Sequence, residues 1–575
     1  MDHYPYAKSF KQAAGHLYRI EKKPLLLLAV CGLLTVCLTP VELMLVKQLI
    51  DRIQTWTAGD PLQPFLLAAS LLAGLLVFTQ IVLGVPVPMA MARLSELGTL
   101  EQQRLLLHKT TQLPLLDVES PIMQDLRARA SRASLYEISY STIHFLQNGT
   151  LVALLLAVMV VFGAWLPALL ACAAAWLNAA AAGRAKLRLE QVLREQTPKR
   201  RLQEHYTDLL TRREAAKEVR LFGLGGLLSQ RWSALHDEQS AAAWQAAKAG
   251  EWRKLGPALL MGLTSGALVA LLVLLPVAGG WSAGDFTLLL MALTMLLARL
   301  SGMGGQWAAL REHMLRWNDF RAYMELEERV AEEASSAGCE GMERGGLQVS
   351  GLTFRYPGAE KDAVSEVSFK ISPGSRVALV GENGSGKSTL IKLLSGLYPP
   401  TEGAIQWLGG QPGMAAVFQD FTRLHVTLRE NMALGRPDAS ARDQLEALRA
   451  VGSRLVELDA QLGAPFGGVE LSGGEWQKVA AARALVSGTA VVFYDEPTAA
   501  LDPQAEKEAF ELFLRAAEGR TALLVTHRLG AAKLADTILV MDDGRLVERG
   551  THDELLRRAD GVYSRMFRLQ AAWYS

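Results

Sequence analysis

Long apolar stretches fill residues 24–310, whereas short apolar runs alternate with amphipathic segments over 346–575. A helix needs about 20 apolar residues to cross the hydrocarbon layer of a bilayer. Residues 24–41 are uncharged, and Leu43–Val46 extend them beyond Glu42. Residues 61–92 form a second uncharged run. Residues 138–183 carry no Asp, Glu, Lys or Arg, a length that fits two spans with Gly163 and Pro167 marking the turn. Residues 255–284 give a fifth span, and residues 286–310, interrupted by Arg299, give a sixth. The pattern predicts an all-α region of six spans.

Charge orients these spans. Lys8, Lys11, Arg19, Lys22 and Lys23 precede the first, and the segments 93–137 and 184–254 are rich in Lys and Arg. The alternate loops are nearly free of basic residues. By the positive-inside rule, both termini and both long loops lie in the cytoplasm. A cleaved signal peptide fits poorly, because the first apolar stretch is too long and no small-x-small site follows. The long loops are helical in composition. Their turning points are "LPLLDVESP" (113–121) and "VRLFGLGG" (219–226), with docking onto the second half as the expected role. Residues 326–345 are acidic, apolar-poor and Gly/Ser-containing, which reads as a linker. The boundaries are therefore 1–325, 326–345 and 346–575.

The second half carries a phosphate-binding signal. "SRVALVGENGSGKST" is an apolar strand, a glycine loop and a helix start. Gly381, Glu382, Asn383, Gly384, Ser385, Gly386, Lys387 and Ser388 fit G-x-x-x-x-G-K-[ST], and Thr389 follows. Glycines let backbone N–H groups wrap phosphates, and the helix adds its positive N-terminal end. Lys387 would reach the β- and γ-phosphates, and Ser388 would hold Mg²⁺. "AVVFYDEP" is a buried-strand run ending in Asp495, placed for Mg²⁺, and Glu496, placed to polarise water. "TALLVTHR" ends in His527, at the strand end where parallel sheets bind ligands. "AVFQD" ends in Gln419, a weak signal for Mg²⁺ or water. Tyr356 in "FRYPG" offers a ring that can stack on adenine or serve as a core or surface residue.

A second glycine motif, Leu471, Ser472, Gly473 and Gly474 in "LSGGEWQK", stands just before another helical run. One P-loop needs no second phosphate loop in the same chain, so this motif poses a question.

Totals add little. Lys+Arg is 59 against Asp+Glu 58, so net charge does not point to nucleic acid. Half the residues are hydrophobic, more than a soluble enzyme of 575 residues would usually carry. Cys31, Cys37, Cys172 and Cys339 show no metal spacing and read as small hydrophobes.

The ordered set Tyr356, Gly381–Thr389, Gln419, Leu471–Gly474, Asp495–Glu496, Asp502 and His527, behind six spans, resembles the ABC transporter family, in particular an exporter-type half-transporter. The resemblance implies a multidomain membrane protein. A six-helix transmembrane domain would precede an α/β P-loop ATPase domain with a helical signature subdomain. It implies Tyr356 as the adenine-stacking ring, Gln419 as a Mg²⁺-sensing residue, Glu496 as catalytic base, Asp502 as the acid linking two sites and His527 as the switch histidine. It also answers the question above: Ser472, Gly473 and Gly474 would cover the ATP bound by a second chain. ATP and Mg²⁺ are the expected cofactors, and a homodimer is the favoured assembly, with a heterodimer the other arrangement. Two departures stand out. Glu475 and Trp476 follow the signature, and "GAPFGGVE" (463–470) lacks the Glu-rich loop of many exporters. "FQDFTRLHVTLREN" and "GGVELSGGEWQK" are similar to exporters of bacterial peptide natural products, although no N-terminal peptidase domain is present, so leader cleavage is not expected.

The expected function is ATP-driven export of an amphipathic molecule or peptide across the cytoplasmic membrane. The alternative is an ATP-dependent membrane sensor that carries no cargo. Arg299 is either a cargo contact in a cavity or a snorkelling residue.

Overall fold

The computed structural model describes residues 6–56, 62–274, 281–328, 345–495 and 517–574. The chain divides into two compact units, Met1–Leu113 with Ser120–Glu327, and Pro114–Glu119 with Glu328–Ser575.

The described part of the first unit is helical. It comprises α1 (Tyr6–Ile20), α2 (Lys22–Thr55), α3 (Gln63–Gly84) and α4 (Pro86–Gln112), then, after a short helix α5 (Leu115–Glu119) that belongs to the second unit, α6 (Pro121–Ala130), α7 (Leu135–Val161), α8 (Trp165–Glu195), α9 (Thr197–Thr211), α10 (Arg213–Leu221), α11 (Gly225–Leu274) and α12 (Ala283–Met324). Among the described residues five helices are long and apolar enough to cross a membrane: Lys22–Thr55, Gln63–Gln112, Leu135–Val161, Trp165–Leu193 and Ala283–Met324. The expected span at 255–284 starts on α11, and its residues 275–280 lie outside the described residues. Most of the expected linker, 329–344, lies outside them too.

α12 is the central post of this unit. Leu288, Leu289, Leu293 and Leu296 are fully buried against Leu43 of α2 and Leu155 of α7. Close approach needs glycine. A Cβ on Gly304 would fall 2.4 Å from the Ala179 Cα on α8, and one on Gly284 would fall 2.5 Å from the Lys47 carbonyl on α2. The Ser282 hydroxyl and Asp285 carboxylate form a reciprocal cap on α12. Lys47 Nζ pairs with Asp51 and with Asp285, each at 2.8 Å, and so ties the ends of α2 and α12 together. On α3, by contrast, Leu66, Leu67, Leu71, Val77 and Ile81 are exposed. A face this apolar is stable against lipid or another helix rather than water.

Among its described residues the second unit holds two sheets, built from β1 (Gly346–Phe354), β2 (Val364–Ile371), β3 (Arg376–Gly381), β4 (Glu402–Leu408), β5 (Met414–Val417), β6 (Val491–Asp495), β7 (Thr521–Val525), β8 (Thr537–Asp542) and β9 (Arg545–Gly550). β2-β1-β4 is antiparallel, and along β2 every residue from Val367 to Ile371 alternates in burial. The other sheet has the order β5-β6-β7-β3-β8-β9, parallel except for β9. β6 and β7 are buried at every position, as their continuous apolar runs require when both faces are covered. Among the described residues the α-helices of this unit, besides α5, are α13 (Lys387–Leu394), α14 (Leu428–Ala433), α15 (Ala441–Ala450), α16 (Gly473–Val486), α17 (Leu529–Ala532), α18 (His552–Leu556) and α19 (Val562–Tyr574).

Two details of this unit bear on the sequence reading, one an expectation and one a residue it left without an account. The turning point at 113–121 forms α5, where Leu115 and Leu116 pack on the cluster containing Leu393 and Tyr398. Tyr398 donates its hydroxyl proton to the Glu119 carboxylate, and Lys392 Nζ lies 3.3 Å from Glu119 and 4.9 Å above the Tyr398 ring. Burial, then the Glu119 hydrogen bond, pushes the Tyr398 hydroxyl up to about 12, so it stays protonated at neutral pH and keeps donating. Trp476, the unusual residue after the signature, is 1% exposed. It sits among Leu428, Met432, Leu448, Leu458, Leu462 and Val479, with the His425 ring edge-on at 5.7 Å. Its role is to anchor α16 in a helical cluster.

Three outcomes test this packing. Trp476→Ala should cost about 3–5 kcal/mol, read as a lower melting temperature of the purified chain. Gly304→Val should cost about 1–3 kcal/mol by overpacking, read the same way, whereas Gly302→Ala, which has open space around it, should not. Tyr398→Phe removes a hydrogen bond to a carboxylate worth about 1.5 kcal/mol, so amide hydrogen exchange at residues 115–119 should rise roughly tenfold.

Candidate nucleotide-binding site

Strand register gathers the candidate groups. Leu379 of β3 pairs with Val525 of β7, and Val525 pairs with Asp495 of β6. On the far side Tyr494 pairs with Val417 of β5. Gly381 and His527 therefore each follow a paired residue by two positions, and Gln419 follows Val417 by two. The parallel strands deliver all four motifs to one edge, beyond their carboxyl ends, where open α/β sheets bind ligands.

The loop from Gly381 to Lys387 is shaped by what it cannot accommodate. A Cβ on Gly381 would lie 2.2 Å from the Met541 carbonyl oxygen, and one on Gly386 would lie 2.4 Å from that of Ala363. Gly384 and Gly386 have φ of +85° and +94°, a left-handed backbone that favours glycine. Outside contacts hold this curve. The Asp543–Gly544 turn between β8 and β9 has positive φ at both residues, and the Gly544 N–H donates to the Ser385 carbonyl at 3.3 Å. These supports carry no motif of their own. Sequence reasoning missed Ala363 and Met541 because their carbonyls, not their side chains, make the contact. The Asp-Gly pair was the one available signal.

Lys387 starts α13 and is 5% exposed. Its ammonium donates to the carbonyls of Gly381 at 3.0 Å and Glu382 at 2.7 Å. It is thereby folded along the inside of the loop, whose cradle would take a phosphate group. The Ser388 hydroxyl donates to Asp495 Oδ1 at 3.3 Å, and Asp495 is 6% exposed. A hydroxyl and a buried carboxylate in contact form a hard-oxygen pair that fits Mg²⁺.

The remaining candidates are placed as follows. Tyr356 is half-buried, edge-on to Phe354 at 5.1 Å and to Tyr398 at 5.9 Å, and its hydroxyl hydrogen-bonds Thr389 at 3.0 Å. One side of this residue is thus built into the core beneath α13. Glu382, Asn383 and Gln419 are exposed, and Ser385 is buried. His527 is half-buried, and its carbonyl accepts from the Gln570 side chain on α19. Glu496 and Asp502 lie outside the described residues.

The signature motif is built differently. Ser472 caps α16, accepting from the Glu475 N–H at 3.2 Å. Leu471 is buried, Ser472 and Gly473 are exposed, and open space surrounds both Gly473 and Gly474. The Glu475 carboxylate accepts from Ser453 and from Lys478, each at 3.1 Å, which fixes this end of the helix. The P-loop helix α13 packs in the sheet cluster through Leu390, Leu393 and Leu394, whereas Leu471 and Trp476 pack in the helical cluster. The two glycine motifs therefore belong to separate packing clusters.

Comparison with known proteins places this domain in a family. The ABC transporter family profile matches residues 364–499. The nisin transport ATP-binding protein of Lactococcus lactis subsp. lactis is 39% identical over 233 residues, 37% of this chain and 39% of that protein. An ATP-dependent lipid A-core flippase of Xanthomonas oryzae pv. oryzae (strain MAFF 311018) is 32% identical over 377 residues, 62% of each chain. The matches thus span about two-fifths to three-fifths of these relatives' length. The structure of a bacterial Atm1-family ABC exporter with ATP bound superposes with a TM-score of 0.78 at 25% identity, covering 96% of this chain and 99% of that one. The chain therefore carries an ABC transporter domain, which uses ATP, fused behind a helical region with candidate membrane spans, in the fold of an Atm1-family ABC exporter.

Proposed function

We propose that this chain is one half of an ATP-driven exporter that moves an amphipathic molecule or peptide out across the cytoplasmic membrane. The observation that carries this reading is the convergence of Gly381–Ser388, Asp495 and His527 at one sheet edge, within a chain that has an exporter fold over 96% of its length. Both termini and the loops around α5 and α10 would be cytoplasmic, as loop charge directs.

Each group has a role in hydrolysis. Loop amides and Lys387 bind the β- and γ-phosphates, and Tyr356 flanks the adenine. Ser388, Asp495 and Gln419 would hold Mg²⁺, which when bound neutralises charge on the phosphate oxygens. Glu496 polarises the attacking water, and His527 orients it beside the γ-phosphate. The exposed Ser472–Gly474 end of α16 would complete the site of a second chain, which supports a homodimer with two ATP sites bridged through Asp502. ATP then favours the closed pair of domains, and its hydrolysis releases them. The membrane helices would alternate between inward- and outward-facing states.

Glu496→Gln should lower ATP turnover in lipid nanodiscs by about 100-fold or more while ATP binding persists. Lys387→Ala should lose ATP binding itself. Turnover of Glu496→Gln at the wild-type rate would reject the assignment of the base. Intact hydrolysis with no ATP-dependent movement of any candidate into vesicles would reject export in favour of a sensor.

A further inference from the structure

One face of α7 carries a polar ladder that the nucleotide chemistry does not use. Tyr136, Tyr140, His144 and Asn148 recur at four-residue spacing, about 6 Å apart along the axis. Tyr136 and Tyr140 stack at 5.6 Å, and Tyr140 meets His144 at 5.5 Å. Asn148 is 3% exposed, buried within a candidate span. Its Oδ1 accepts from Arg299 of α12 at 3.1 Å, and its Nδ2 lies 3.2 Å from His144 Nδ1. The ladder thus runs from the start of α7 to Arg299, a cation on a second candidate span.

The hydrogen bonds fix the charge of this cluster. Arg299 can only donate, so Asn148 presents its oxygen to it. The Asn148 amide nitrogen must then donate to His144 Nδ1. A ring nitrogen that accepts is unprotonated, so His144 is neutral and carries its proton on Nε2, a second donor. Arg299 is the one cation among residues 283–310, and α7 offers none. Among the described residues no carboxylate pairs with Arg299, and it is exposed. The cluster therefore holds a single positive charge and several donors.

A lone guanidinium among apolar helices is stabilised by one anion, and its fork matches a carboxylate. A headgroup with several phosphates would bring more negative charge than this cluster can offset. Half-exposed tyrosines supply amphipathic edges, an apolar ring with a polar hydroxyl, for apolar and aromatic side chains. We propose that Arg299, Asn148 and His144 bind the single carboxylate of an amphipathic peptide cargo, and that the half-exposed edges of Tyr136 and Tyr140 contact its apolar side chains. Asn148 positions the guanidinium, and His144 Nε2–H donates to the second carboxylate oxygen. This inference rests on the exporter reading and assigns its cargo class.

The test uses the full chain in lipid nanodiscs and a pooled library of amphipathic, aromatic-containing peptides. Each peptide is made as a free acid with no other acidic group and as its C-terminal amide. Losing a charge-assisted hydrogen bond pair costs about tenfold or more in affinity, so wild type should retain acids at least about tenfold over amides. Arg299→Gln should retain both forms equally, at the wild-type level for amides, which also shows that it is folded. Arg299→Lys should keep a reduced preference for acids. Equal retention of acids and amides by wild type, or retention of neither, would overturn the proposal. So would Arg299-dependent binding of a bis-phosphorylated lipid without any preference for acids. Basal ATP hydrolysis and its loss in Glu496→Gln report separately on the exporter reading.

Discussion

Parallel pairing of the buried strands is the constraint on which the catalytic unit depends. Register links Leu379, Val525 and Asp495 across three strands, so the residues just past them meet at one edge. The loop after β3 then has a fixed origin, and its curvature is set by the carbonyls of Met541 and Ala363, which exclude any Cβ at Gly381 and Gly386. Lys387 is buried in that curve with carbonyl partners. A buried ammonium would be costly if unpaired, so the loop keeps it solvated by backbone carbonyls.

In the helical unit the corresponding constraint is close packing at glycine. Gly284 and Gly304 let α12 approach α2 and α8 closely enough for its leucines to interlock. Between those two contacts lies Arg299, held by Asn148. The proposed carboxylate site therefore sits on a post whose position is set by these two close approaches.

How much was legible in the sequence differs from residue to residue. Lys387, Ser388 and Asp495 were readable because each lies at the end of an apolar strand run, or on the loop after one, and local pattern is what places them. The turn at 113–121 was readable as a turn, but its Glu119–Tyr398–Lys392 cluster was not, since those side chains are remote along the chain. Tyr356 was ambiguous on spacing, because its half-buried ring and hydroxyl are tied into the core beneath α13 by Thr389 and Tyr398, residues remote along the chain. Trp476 had no account from sequence, because its burial depends on α14 and α15 folding over α16.

The sequence by itself determined the apolar helices, the strand-loop-helix of the phosphate site and the separation of two glycine motifs, because these follow from periodicity and from glycine and proline chemistry within short windows. Tertiary structure alone decided which carbonyls shape the loop, which tyrosine ties α5 down and which α7 residues meet Arg299. Those contacts join residues far apart in the chain, such as Asn148 and Arg299, and no local pattern records which distant group will fill the space beside a side chain.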